Sequence, residues 1–311
     1  MLEGDGRGTG ARSESGLRQP AGKRAFSECT TSTMAAIMRP ENSVQAILNY
    51  TLDDGSVPEA YFYEPPAGTI VQNPGNDPQN LPIFDGWPHV ERFSLDREGF
   101  ALKEIRSGFD RFDQDDTVRN EFYPVVADFV RKAVGARRVI VFDHTFRSKI
   151  NEAQQTAEHT TTQRAPVMIV HCDYTPMSGP SRVWQLLPEE AEALLQRRVA
   201  FYNVWKPLKR TVEEKPLAMC DVTSTLPDDM LKMVLRYRER TGEIYVMRHS
   251  SEHKWWYFPR MTPEHALLLK TYDSETDGRA RFLGHSAFDD PQTPPDAPTR
   301  ESIEIRTVAL F

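Results

Sequence analysis

Val167-Met168-Ile169-Val170-His171-Cys172-Asp173 carries an apolar run straight into a His-x-Asp step. Side chains of an extended chain alternate between faces, so His171 and Asp173 point the same way and offer one imidazole and one carboxylate to a single metal ion. A third ligand must come from elsewhere. Two nitrogens and one carboxylate oxygen on one face of an octahedron leave the other face open, which suits non-haem Fe(II) and its oxygen chemistry. The dipeptide spacing alone is common, and an ordinary strand end is its usual meaning.

Beyond this step, short strand candidates follow in series at 199–205, 217–220, 243–247, 255–258, 267–272 and 303–310, separated by Pro, Gly or charged turns. Many short strands at such spacing predict a sandwich or barrel. Upstream, 43–50, 60–63 and 138–142 read as strands. Phe100, Leu102 and Ile105, then Phe122, Val125, Val126, Phe129 and Val130, recur at helical spacing and predict two amphipathic helices within 99–134. Residues 174–180 read as a turn, 188–197 as a short helix with Pro at its start, and 151–164 as a polar surface loop. The stretch 1–39 is rich in Gly, Ser, Thr, Arg and Lys without apolar periodicity, which predicts a disordered tail before a single domain over 40–311.

With 311 residues, 39% of them hydrophobic, the chain can bury a substantial core. Its net charge of -7 offers no basic footprint for phosphate neutralisation, which argues against nucleic acid and favours a small-molecule substrate. Cys29, Cys172 and Cys220 lack CxxC spacing, so neither a disulfide framework nor a structural zinc site is expected, and a reducing cytoplasm fits. No run approaches the roughly 20 apolar residues of a membrane span, so no membrane role is expected.

In a double-stranded β-helix the first two ligands leave an early strand and the third enters from one near the C-terminus. His285 fits that place, with His253 and His249 as competitors because both flank strands of the same barrel. Arg300, at the mouth of the last strand, suits a planar bidentate grip on a carboxylate that lysine cannot give, with Arg306 and Arg147 as second choices. His144 could orient a metal-bound carboxylate from behind. Asn203 and Trp205, and Trp255 and Tyr257 in an aromatic cluster, are candidates for an apolar substrate pocket; core packing is their bland alternative.

Several blocks taken together resemble a known family: His171-Cys172-Asp173-Tyr174-Thr175, Asn203-Val204-Trp205-Lys206-Pro207-Leu208, Pro216-Leu217-Ala218-Met219-Cys220-Asp221, His285-Ser286-Ala287-Phe288-Asp289-Asp290-Pro291 and Arg300-Glu301-Ser302-Ile303-Glu304-Ile305-Arg306. The likeness, over roughly residues 142–311, is to the gibberellin GA4 desaturase-like and cephamycin methoxylation-type family, which includes fungal meroterpenoid endoperoxygenases. The resemblance implies a mainly β protein with flanking helices around a double-stranded β-helix (jelly-roll, cupin-like) core. It also implies Fe(II), 2-oxoglutarate and molecular oxygen, and hydroxylation, desaturation, cyclisation or endoperoxide formation on a secondary metabolite such as a terpenoid. The family roles fall on His171, Asp173 and His285 as iron ligands and on Arg300 as co-substrate clamp. Some members are thought to work in pairs, so a homodimer, a heterodimer with a related enzyme, or a non-catalytic subunit beside a partner enzyme are further expectations.

Overall fold

The computed structural model describes residues 42–69, 73–148 and 163–311. Its strands, in chain order, are β1 (Ser43–Tyr50), β2 (Glu59–Tyr61), β3 (Asp77–Asp85), β4 (Phe100–Glu104), β5 (Arg138–Arg147), β6 (Gln163–Arg164), β7 (His171–Cys172), β8 (Val199–Pro207), β9 (Leu217–Cys220), β10 (Met230–Arg236), β11 (Thr241–Met247), β12 (Trp255–Tyr257), β13 (His265–Asp273), β14 (His285–Ala287) and β15 (Ser302–Leu310). They form two sheets. The larger runs β1-β3-β12-β9-β14-β7-β11-β10-β2, and the smaller β4-β13-β8-β15-β5-β6. Neighbours in space are far apart in sequence, which is the jelly-roll arrangement.

Alternation along β8 sets the layers. Ala200, Tyr202 and Val204 join Ile303, Ile305, Val126 and Val130 in a cluster between the smaller sheet and the helix Tyr123–Val134. Each fully buried Val or Phe in it is worth about 1.5–3 kcal/mol. That helix stops at Gly135, whose φ of 70° lets its N–H reach back to the Arg131 carbonyl at 3.0 Å. The alternate residues Val199 and Phe201 pack with Tyr174 and Val308 on the opposite face, and Asn203 and Trp205 continue that face toward the site.

Three local expectations are corrected. Residues 100–104 are strand β4, not helix: Phe100, Ala101 and Leu102 are buried in succession and pair with Leu269, Leu268 and Leu267 of β13, a contact that overrides the helical spacing. Residues 178–180, the end of the turn expected over 174–180, instead open the helix Ser178–Leu186, since Pro180 falls in its first turn and removes only an N–H that has no helical partner. The run 167–170 is not a ladder strand. Only His171 and Cys172 pair in the sheet, while Ile169 makes a single bridge to Asn49 and the Asn49 side chain caps the Met168 carbonyl at 2.8 Å. The disordered tail expected over 1–39 and most of the polar loop over 151–164 lie outside the described residues.

Candidate metal centre

β14 lies between β9 and β7, and its register sets His285 directly opposite His171. Directly opposed residues of an antiparallel pair project from the same face with Cβ atoms about 5 Å apart, and the two rings sit with centroids 4.4 Å apart. Asp173, two residues past His171, returns to the same side and places Oδ1 3.7 Å from His171 Nε2. One ligand atom from each of His171, Asp173 and His285 lies within 4.8 Å of the others, a spacing that could hold a metal ion.

The ring nitrogens are already sorted. His171 Nδ1 lies 2.8 Å from the Ile169 carbonyl and His285 Nδ1 lies 3.1 Å from the Leu283 carbonyl. A carbonyl only accepts, so each Nδ1 carries the proton and each Nε2 keeps a lone pair facing the cluster. Burial, followed by the neighbouring His285, pushes the His171 pKa down to about 4, which keeps the ring neutral.

Asp173 is held from the smaller sheet. Asn203 Nδ2 donates to Asp173 Oδ2 at 2.5 Å and to Glu304 Oε1 at 2.7 Å, so Oδ1 is the oxygen left for a ligand role. Glu304 in turn takes Arg147 through Nε at 2.9 Å and Nη2 at 2.6 Å, with Arg306 Nη2 at 3.2 Å. Burial works to raise the Glu304 carboxyl, but Arg306 and Arg147 outweigh it and hold it well below the usual range. Glu304 did not stand out in the sequence as a site residue. Its signal was a lone acid at an inward position of the apolar strand Ile303-Glu304-Ile305.

Two cavities meet at this cluster. A narrow one of about 20 Å³ touches His171, His285, Arg300, Trp205, Arg147 and Glu304. The Arg300 guanidinium lies 5.6 Å from the centre of the Trp205 ring, donates to the Lys215 carbonyl, and leaves its buried Nε unpartnered. Burial, followed by the nearby Arg147, pushes its pKa down to about 9, against the smaller raising effect of Glu214 and Glu304. A wide cavity of about 770 Å³ opens on the other side of His171 and touches Asp173, Tyr174, Arg147 and Arg306. Its size is that of a small-molecule site.

The remaining candidates are placed elsewhere. Trp255 and Tyr257 line neither cavity; they pack in the core of the larger sheet, Trp255 donating to the Tyr50 hydroxyl at 2.7 Å and Tyr257 lying edge-on to Phe288, so the pocket role expected for them is corrected. Asn203 lines neither cavity and touches Asp173 instead, whereas Trp205 walls the narrow one. Arg306 faces the wide cavity, bound to Asp143 at 3.2 Å and Thr145 at 2.9 Å, and Arg147 reaches both. His253 lies between the Tyr50 hydroxyl and Asp229, and His249 edge-on to Tyr50, so neither joins the cluster. His144 contacts Tyr123 and Asp115 and stands behind no cluster carboxylate.

Comparison with known proteins agrees with this geometry. Residues 48–310 match the family described as the oxidoreductase/YMDC permease-like domain. The hydroxylase/desaturase efuI of Hormonema carpetanum is 33% identical over 89% of this chain and 97% of its own length. The Fe(II)/2-oxoglutarate-dependent dioxygenase nvfI of Aspergillus novofumigatus is 32% identical over 83% of this chain and 93% of its own. A solved structure of the iron and alpha-ketoglutarate-dependent endoperoxidase NvfI matches with a TM-score of 0.76 at 27% identity, covering 87% of this chain and 98% of that one.

Proposed function

The chain belongs to the oxidoreductase/YMDC permease-like domain family, and from that premise we infer that it is an Fe(II)/2-oxoglutarate-dependent dioxygenase that oxidises a secondary metabolite. The observation that carries the reading is the coincidence of three ligand atoms, on His171, Asp173 and His285, with a buried guanidinium whose Nε makes no hydrogen bond. The donor set fits ferrous iron, two neutral imidazole nitrogens and one carboxylate oxygen on one side of the ion. Bound together, the metal and the keto acid supply the oxidation of an unactivated C–H bond by O2, with 2-oxoglutarate leaving as succinate and CO2.

The chain's own contribution is placement. His171, Asp173 and His285 hold the metal; Asn203 fixes which Asp173 oxygen faces it. Arg300 receives the far carboxylate of the keto acid in the narrow cavity, with Arg147 beside it, and Trp205 closes the wall. The wide cavity presents the metabolite to the Asp173 side of the cluster. We assign Arg306 to this side rather than to the keto acid.

Finer points rest on the resemblance. The sequence resemblance to gibberellin GA4 desaturase-like and cephamycin methoxylation-type proteins supports hydroxylation, desaturation, cyclisation or endoperoxide formation, with a terpenoid or meroterpenoid as substrate class. A single oxygenase domain over 40–311 is supported by the described residues all falling in one compact unit. A cytoplasmic location is supported by the two buried free thiols, Cys172 and Cys220. No helix among the described residues is long and apolar enough to cross a membrane. The intact cluster favours the enzyme over a non-catalytic subunit; light scattering of the purified chain, alone and with a related enzyme, tests pairing. Anaerobic addition of Fe(II) and 2-oxoglutarate should give a visible charge-transfer band. A folded, metal-loaded sample without that band sinks the reading.

A further inference from the structure

The helix Ser178–Leu186 turns two unlike faces. Gly179 and Val183 are buried, with Val183 in the cluster of Phe201 and Tyr272. Ser178, Ser181, Arg182 and Gln185, spaced at i, i+3, i+4 and i+7, line the wide cavity. Ser181 and Gln185 are also exposed to solvent, as the polar stripe of an amphipathic helix ordinarily is, whereas Ser178 and Arg182 are partly buried on a cavity that reaches the metal cluster.

Arg182 is the charged member of that stripe. Its guanidinium stacks over Phe142 with 4.9 Å to the ring centre, and its Nη1 donates to Gln185 Oε1 at 3.0 Å. Among the described residues no carboxylate lies within ion-pair distance of it. The acids of the cavity are otherwise engaged: Asp143 with Arg306, Glu243 with the Thr175 hydroxyl and Lys232, and Asp173 with Asn203. Arginines outnumber carboxylates along the wall, and a divalent metal at the cluster would add to the excess. A concave site with this charge balance concentrates anions.

We propose that Arg182, braced by Phe142 and Gln185, is a binding site for a carboxylate of the metabolite, so that the substrate is an acid with an apolar body held in the wide cavity. This rests on the oxygenase reading for the identity of the cavity and goes beyond it in naming the substrate class. A planar guanidinium with Nη2 and Nε uncommitted can meet a carboxylate through two parallel hydrogen bonds, and the aromatic platform keeps the cation oriented. Arg240 stands over Tyr237 at 4.0 Å on the same cavity but is exposed, where water screens its charge.

The test is calorimetric binding, without turnover, of a tricyclic terpenoid carboxylic acid and its methyl ester to the anaerobic enzyme loaded with Fe(II) and 2-oxoglutarate. Wild type should bind the acid about 10-fold or more tightly than the ester. In Arg182→Gln the ratio should fall to within about twofold, Arg182→Lys should keep part of it, and Arg240→Gln should leave it nearly unchanged. Thermal unfolding and the charge-transfer band report whether each variant is folded and loaded. Equal affinity for acid and ester in wild type, binding of neither, or a preference that survives Arg182→Gln overturns the assignment. Loss of the band in wild type instead overturns the oxygenase reading, which keeps the two failures apart.

Discussion

The pairing of His253 with Asp229 and that of His171 and His285 with Asp173 both bring histidine to a carboxylate, and they differ in what the ring nitrogens are doing. At His253, Nδ1 meets the Tyr50 hydroxyl at 2.9 Å and Nε2 meets Asp229 at 3.1 Å, so both nitrogens are committed within the protein. At His171 and His285, Nδ1 is fixed by a backbone carbonyl and no hydrogen bond to Nε2 is made among the described residues. The first arrangement ties segments together across the sheet. The second orients two lone pairs toward a point with nothing to satisfy them except a ligand, and such a cluster of polar atoms is retained at a cost to stability that function must explain. A histidine beside an acid is therefore a weak sign of a metal site; the uncommitted nitrogen is the stronger one.

Removing a ligand should separate the two places most sharply. His285→Ala should lower ferrous affinity by more than the roughly 10–100-fold expected for an outer partner and abolish keto-acid turnover, while His253→Gln should leave metal affinity within about twofold and lower stability by about 1–3 kcal/mol. Anaerobic metal titration and thermal unfolding read both. If His253→Gln abolishes metal binding and His285→Ala spares it, the comparison is inverted.

Next in size is the narrow cavity. Arg300→Leu should weaken 2-oxoglutarate about 10–100-fold, the equivalent of a lost charge-assisted pair, with iron affinity largely kept. A KM for 2-oxoglutarate equal to that of wild type would move the clamp to Arg147. Asn203→Leu should act on the metal instead, lowering ferrous affinity about tenfold as Asp173 loses the bond that selects its oxygen, and metal titration beside the keto-acid KM distinguishes the two effects.

The smallest expected effect concerns pH. Burial is the largest influence on both His253 and His144, and it holds each below the ordinary value of 6.5. Below that pH the unfolded chain takes up protons that the folded rings resist, so stability is fully present above about 6.5 and declines as pH falls below it. His253→Gln should flatten this acid limb in a series of melting temperatures. A limb of unchanged slope would show that carboxylates alone set it.

Much of this was legible in the residues because it is local. Short apolar runs bounded by Pro, Gly or charged turns marked β8 and β15, and the His-x-Asp spacing placed two ligand candidates on one side of the chain whether or not the run before them formed a ladder. The errors came where a long-range contact overrode a local pattern. Phe100-Ala101-Leu102 has helical neighbours in sequence but a strand partner in β13, and the Trp255 and Tyr257 rings, read as pocket walls, turn into the larger sheet. An acid in the apolar strand Ile303-Glu304-Ile305 acquires meaning only from its partners, and of these Arg306 is two residues away while Asn203 and Arg147 come from the distant strands β8 and β5.

The sequence by itself determined the kinds of donor available, two imidazoles, a carboxylate and a guanidinium, and the strand periodicity that would carry them, since both depend on side-chain chemistry and spacing within a few residues. Only the tertiary structure decided which histidine completes the set, because that choice turns on the pairing of β7 with β14. A shift of one residue in that register would turn His285 to the other face, and no pattern within either segment records it.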